Sequence, residues 1–166
     1  MTPEFHRPIA LARLPEEGRE ERLVASPAEC AALARRFGIQ AINRLEAKLR
    51  LRPEPGGSVA VTGRLAAEVV QDCVITLEPV TQAVEEAVSL RILAPGEEPS
   101  EDPEAPDEVP VEDDAADLGE AIAEQLSLAL DPYPRAPGAV LPGGEEGEEP
   151  PPTGPFAALS ALRRPR

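Results

Sequence analysis

The chain has 166 residues, 42% apolar but only 2% aromatic, and its 31 acids against 16 bases give a net charge of -15. Any core must be built from Leu, Val, Ile and Ala, which bury less area per residue than rings do, and a single domain of roughly 100 to 150 residues with extensions is the expected size. No stretch approaches the roughly 18 apolar residues of a membrane span, the N-terminus "MTPEFHRPIALARLPEEGREER" lacks the apolar centre of a secretion signal, and Cys30 and Cys73 stand alone as free thiols do, so a cytoplasmic protein without membrane contact is expected.

In chain order, "FHRPIALARL" sets Phe5, Ile9 and Leu11 at odd positions and reads as a first strand. "EERLVAS" reads as a second, with the polar "PEEG" closing a loose hairpin between them. At Ser26 the signals change: Ser26 can cap a helix, Pro27 suits its first position and Glu29 completes a capping box. Cys30, Leu33, Ala34 and Phe37 then share one face, and Gly38 supplies a left-handed end.

From Leu45 the period becomes two. Leu45, Ala47, Leu49 and Leu51 face one way, while Arg44, Glu46, Lys48, Arg50 and Arg52 face the other. After the turn "PEPGGS", Val59, Val61, Leu65, Ala67 and Val69 continue the alternation on an antiparallel partner whose outer face carries Thr62, Arg64 and Glu68. A further strand from about Thr81 to Leu93 turns Val84, Val88, Leu90 and Ile92 inward, and Glu86 on that same face places its first half near a sheet edge.

Residues 94–116 hold many acids and five prolines with almost nothing to bury, the composition of a disordered linker. Asp117 and Glu120 then start a second helix, amphipathic through Leu118, Ala121, Ile122, Leu126 and Ala129, which Asp131-Pro132 ends. The expected architecture is α+β: a core over 1–93 of about five mostly antiparallel strands with one inserted helix, an acidic linker over 94–116, and a helix over 117–131 docking on the sheet. Residues 132–166 are expected to form an extended, largely disordered tail with a short terminal helix through Phe156, Leu159 and Leu162.

Catalytic chemistry finds little support. One His and two Cys 43 positions apart do not make a metal site, and the acidic linker lacks the ligand register of a calcium loop. Cys73 has no base beside it in the sequence and reads as a small hydrophobe at a sheet end. No phosphate-binding or nucleophile-elbow motif occurs, so no enzyme, cofactor or small-molecule substrate is expected. The charge distribution is more informative. Residues 1–92 carry 12 Lys/Arg against 13 Asp/Glu, and residues 93–166 carry 4 against 18, yet residues 33–52 hold six cations and only Glu46. Arg44, Lys48, Arg50 and Arg52 on one strand, with Arg64 on the next, form a candidate nucleic-acid patch. Simple solvation of an outer face would produce a similar pattern. The patch contains no ring for base stacking, which points to backbone or shape recognition.

The stretch "VVQDCVITLEPV", an alternating strand, an acidic linker, "DLGEAIAEQLSLALDPYPRAPGA" and a terminal "GPFAALSALR", in that order, resemble the YceD-type large ribosomal RNA subunit accumulation family. Where many relatives have a Cys-x-x-Cys-Leu pattern, Cys73 matches the first cysteine, Thr76 replaces the second, and Leu77, Glu78 and Pro79 continue the motif. The cysteine cluster that some relatives carry near the C-terminus is absent, so a metal-dependent role does not transfer. The resemblance implies a non-enzymatic factor supporting accumulation or processing of large-subunit ribosomal RNA, with that RNA or a large-subunit assembly intermediate as partner. The alternative is an adaptor whose acidic half engages a basic ribosomal protein without touching RNA.

Overall fold

The long strands are set by the two alternating segments on either side of "PEPGGS". The computed structural model describes residues 3–141, and in it β3 (Ala41–Pro53), β4 (Val59–Asp72) and β5 (Pro79–Ile92) form a continuous antiparallel ladder. β2 (Arg19–Val24) pairs with β3 on one side, and β6 (Asp107–Val109) runs parallel to the end of β5 on the other, giving the order β2-β3-β4-β5-β6. β1 (Pro8–Ala10) pairs with β7 (Ala115–Asp117) in a separate two-stranded sheet. Two helices, α1 (Pro27–Phe37) and α2 (Leu118–Ala129), complete the α+β fold.

Both helices cover one face. Leu45, Ala47, Leu49 and Leu51 of β3, Val59, Val61, Leu65, Ala67 and Val69 of β4, and Val88, Leu90 and Ile92 of β5 are buried in one cluster with Cys30, Leu33 and Ala34 of α1 and Leu118, Ile122 and Leu126 of α2. The register of β3 shifts between Ile42 and Arg44, a bulge at Asn43 that lets Ile42 face the core although its parity is opposite to that of Leu45. β5 meets β6 only over Leu90–Ile92, so its first half is an edge, as the exposed Glu86 on its inner side anticipated.

The helix ends follow the sequence closely. Ser26 accepts the Glu29 amide, Glu29 returns a bond from the Ser26 amide at 2.7 Å, and Gly38 closes α1 at φ 68°. Asp117 caps α2 by accepting from the Gly119 and Glu120 amides. Arg7 joins the two caps. Its guanidinium grips Glu29 with two bonds of 2.7 and 2.9 Å, lies 4.5 Å from the centre of the Phe5 ring, and its amide donates to Asp117. The hydrogen bond from Arg7 holds the Glu29 carboxyl down at about 2.

Two expectations need correction. The hairpin of the first two strands does not form: a tight turn at Leu11–Arg13 redirects the chain, so β1 joins β7 about a hundred residues later while β2 joins β3. The segment 94–116 is not structureless, since it contributes β6 and the start of β7. Two of its apolar groups, Val109 and Ala116, are buried, and Arg91 binds Glu97 at 2.7 Å and approaches Glu108 at 3.6 Å, which fixes acidic chain to the sheet edge. The expected terminal helix through Phe156, Leu159 and Leu162, and most of the expected tail, lie outside the described residues.

α2 begins pressed against the N-terminal segment. A methyl group at Gly119 would overlap the Phe5 carbonyl oxygen and lie 2.9 Å from the Arg7 amide nitrogen. Alanine favours a helix over glycine by about 0.8–1.0 kcal/mol, but overpacking against backbone costs about 1–3 kcal/mol. Gly119→Ala should therefore lower stability by about 1 kcal/mol net, read as a lower thermal midpoint, despite the better helix former.

Candidate functional site

The face of the sheet away from the helices is open to solvent, and the alternation of β3 and β4 places the charges there. Arg44, Lys48, Arg50, Arg52 and Arg64 are all exposed on it. The register adds an arrangement along the rungs: Arg22 of β2 stands opposite Lys48 of β3, and Lys48 stands opposite Arg64 of β4. Three cations therefore cross three adjacent strands in one row, with Cβ atoms of directly opposed residues about 4.5–5.5 Å apart, a spacing at which like charges destabilise a ladder. Arg22 was not among the residues singled out from the sequence. Finding it required pairing β2 with β3, and the expected hairpin with β1 concealed it.

The other cations differ in how far they are neutralised. Arg22 reaches Glu46 at 3.0 Å, and this bond holds the Glu46 carboxyl below its ordinary value. Arg50 approaches Glu20 at 3.5 Å and donates to the Glu17 carbonyl. Arg44, Lys48, Arg52 and Arg64 have no ion-pair partner among the described residues. A shallow depression of about 550 Å³ beside the row is lined by three cations, Arg22, Lys48 and Arg50, two acids, Glu20 and Glu21, and Leu49, Thr62 and Gly63. Cations, a hydroxyl donor and no aromatic ring are what a phosphate backbone can use and what a stacked base cannot.

The helix side has the opposite sign. A groove of about 480 Å³ runs between β1, β7 and the start of α2, lined by Glu108, Glu112, Asp113, Asp117, Glu120 and Glu124 together with His6. Among the described residues no group of three or more His, Cys, Asp or Glu is arranged to hold a metal ion.

The motif residues form a tight knuckle joining β4 to β5. Cys73 is fully buried, and its sulfur is more than the small hydrophobe the sequence suggested. It accepts backbone N–H groups from Ala136 at 3.2 Å and from Ile75 and Thr76 at 3.4 Å each. The Ala136 bond, followed by those of Thr76 and Ile75, lowers the thiol from 9.0 to about 7. Cys30, desolvated under α1, is instead pushed upward. The Cys73 amide donates to the Glu78 carbonyl at 2.8 Å, the Leu77 amide to the Cys73 carbonyl at 2.9 Å, and the Val74 amide to the Pro134 carbonyl at 2.9 Å. Thr76, where a second cysteine would stand, accepts the Glu78 amide through its hydroxyl at 3.4 Å. Leu77 takes φ 60°, a left-handed conformation that costs a branched side chain roughly 1–2 kcal/mol, and its side chain is 75% exposed.

A folded-state value near 7 against 9.0 for the free thiol means that Cys73 contributes charge-linked stability fully above pH 9, and that this contribution is lost as pH falls through about 7. The stability deficit of Cys73→Ala relative to the parent should widen between pH 7 and pH 9 and stay flat below pH 7, as measured by urea unfolding at a series of pH values. A deficit independent of pH would show that the sulfur accepts these amides only as a neutral thiol.

The family model described as large ribosomal RNA subunit accumulation protein YceD matches residues 61–163, more than half of the chain. The matched region takes in Arg64, the whole Cys73–Pro79 knuckle, β5, α2 and the segment that bonds to the Cys73 sulfur. No curated protein and no solved structure matches the chain. With nearly all of β4, the motif-bearing knuckle, β5 and the second helix inside that match, the chain belongs to the large ribosomal RNA subunit accumulation (YceD) family.

Proposed function

We propose that this protein is a non-enzymatic assembly factor for the large ribosomal subunit, acting in the cytoplasm, and that it contacts ribosomal RNA or a large-subunit precursor through the open face of its sheet. Family membership ties the chain to large-subunit ribosomal RNA accumulation. The observation that carries the RNA contact is the row Arg22, Lys48 and Arg64, in which adjacent strands set like charges directly opposite one another. Such rungs work against the ladder they sit on, and a bound phosphate backbone reverses their sign from cost to gain. Arg44 and Arg52 extend the positive surface along β3, whereas Arg22 and Arg50 add to it less, because Glu46 and Glu20 already lie beside them.

Affinity would come from counterion release with little reading of bases, because the face has donors for phosphate and nothing for stacking. The acidic groove on the helix side repels the same ligand and orients the encounter, so that the sheet face arrives first.

Replacing Lys48 and Arg64 together with Ala tests this reading. RNA affinity measured by filter binding should fall for every sequence alike, and the slope of log affinity against log salt should drop by about 2. Stability should stay level or rise by roughly 0.2–1 kcal/mol as the repulsion is relieved. Unchanged RNA affinity with intact folding would overturn the contact and favour the adaptor.

A further inference from the structure

We infer that the knuckle between β4 and β5 is a preformed protein-docking knob, which inserts Leu77 into an apolar pocket of a cationic protein. This goes beyond the RNA contact and uses a different part of the surface.

The first observation is conformational. A left-handed backbone at the close of such a turn is glycine's position, and Leu77 occupies it at φ 60° with its side chain 75% exposed. Asp113 and Asp114 also have positive φ, but a short polar side chain tolerates that region and a leucine does not. Exposure removes the usual reward of a leucine, burial from water. The position therefore combines backbone strain with an unused apolar group, and strain of this kind persists only where the surroundings over-determine it.

The second observation is that they do. The Cys73 sulfur, the Cys73 amide and carbonyl, and the Val74 amide all have partners within the knuckle or on the strip Pro134–Ala136. Asp131 fixes that strip from the other side, its carbonyl accepting from Gln71 at 3.0 Å and its carboxylate from the Tyr133 amide at 2.9 Å. The result is a rigid end of the sheet with three large apolar groups exposed: Leu77, Val74 at 48% and Tyr133 at 70%. Presenting these apolar groups on backbone that is already fixed spares much of the ordering cost of binding.

The third observation selects the partner. Asp72, Glu78 and Asp131 are exposed around these groups, with Arg135 the one nearby cation in the strip. Carboxylates repel a phosphate backbone and an anionic lipid surface. They also oppose a symmetric dimer, which would bring the same acids together. A protein pocket with an apolar floor and a Lys- or Arg-rich rim satisfies both the apolar groups and the charges.

The test uses the full-length chain with a photo-crosslinking residue replacing Tyr133, incubated with purified large-subunit ribosomal particles and their precursors. An adduct to a protein component is expected, and Leu77→Gly and Leu77→Asp should each reduce it about tenfold or more. Leu77→Gly should at the same time leave the thermal midpoint unchanged or raise it, because glycine relieves the backbone. Adducts to RNA or to a second copy of the chain, adducts undiminished in Leu77→Gly, or a lower midpoint for that variant would each overturn the knob. Particles that carry the parent protein but yield no protein adduct overturn the knob alone, whereas particles that carry no parent protein overturn both its stated partner and the assembly role.

Discussion

Both helices bury their apolar stripes against the same face of one sheet, and the rest of the molecule follows from that one-sided packing. With 13 or 14 residues in each of β3, β4 and β5, the covered face holds a continuous aliphatic core built almost without rings, and the opposite face is left to solvent. A polar face needs no particular pattern to be soluble. Here the pattern along β3 is four cations to one acid, and although Arg50 faces Glu20 and Arg44 faces Glu68, the rung through Lys48 sets cation against cation on both sides, which solvation alone does not require. The one-sided sheet thus provides a surface on which charge can be arranged for a ligand without disturbing the core behind it.

The same packing places the acidic half of the sequence. Among the described residues none of its carboxylates pairs with Arg22, Lys48 or Arg64. Glu97 and Glu108 are engaged by Arg91 on β5, and most of the acids near α2 line the groove on the helix side. The described acids of this half therefore sit apart from the Lys48 row. An acidic segment acting as a built-in RNA mimic would need its charges on the open face, and among the described residues 94–116 are held at the far edge by β6 and by the pairing of β7 with β1.

Much of this was legible because local rules and tertiary packing agree. Ser26, Pro27, Glu29 and Gly38 announced α1 to the residue, since each meets a specific backbone demand of a helix end. The parity of Leu45 to Leu51 and of Val59 to Val69 gave the buried face of β3 and β4, because a period of two has only one consistent solution when one side is covered. What was not legible depends on partners distant in the chain. Nothing near Pro8 says that it will pair with Asp117, nothing in the acidic composition of 94–116 marks Val109 and Ala116 as buried, and Arg22 joins the basic row only once β2 is known to flank β3. The hydrogen bonds of the Cys73 sulfur were hidden for the same reason: one of its three donors is the Ala136 amide, 63 residues away.

The two candidate surfaces are too far apart to serve one small ligand. Arg64 lies on β4 and Cys73 just past its end, nine positions on, and at about 3.3 Å per residue the separation is roughly 30 Å. Their characters also conflict, since the row is cationic and ring-free while the knuckle is apolar and rimmed with carboxylates. A single RNA strand that satisfied the first would be repelled at the second. Two surfaces of opposite preference on one inflexible element suit a ligand that itself presents RNA and protein side by side at that separation, which describes a ribonucleoprotein particle and neither naked RNA nor an isolated protein. β4 would then act as a ruler: contact at both ends would be stronger than either alone only where the particle holds its RNA and its basic protein at that spacing.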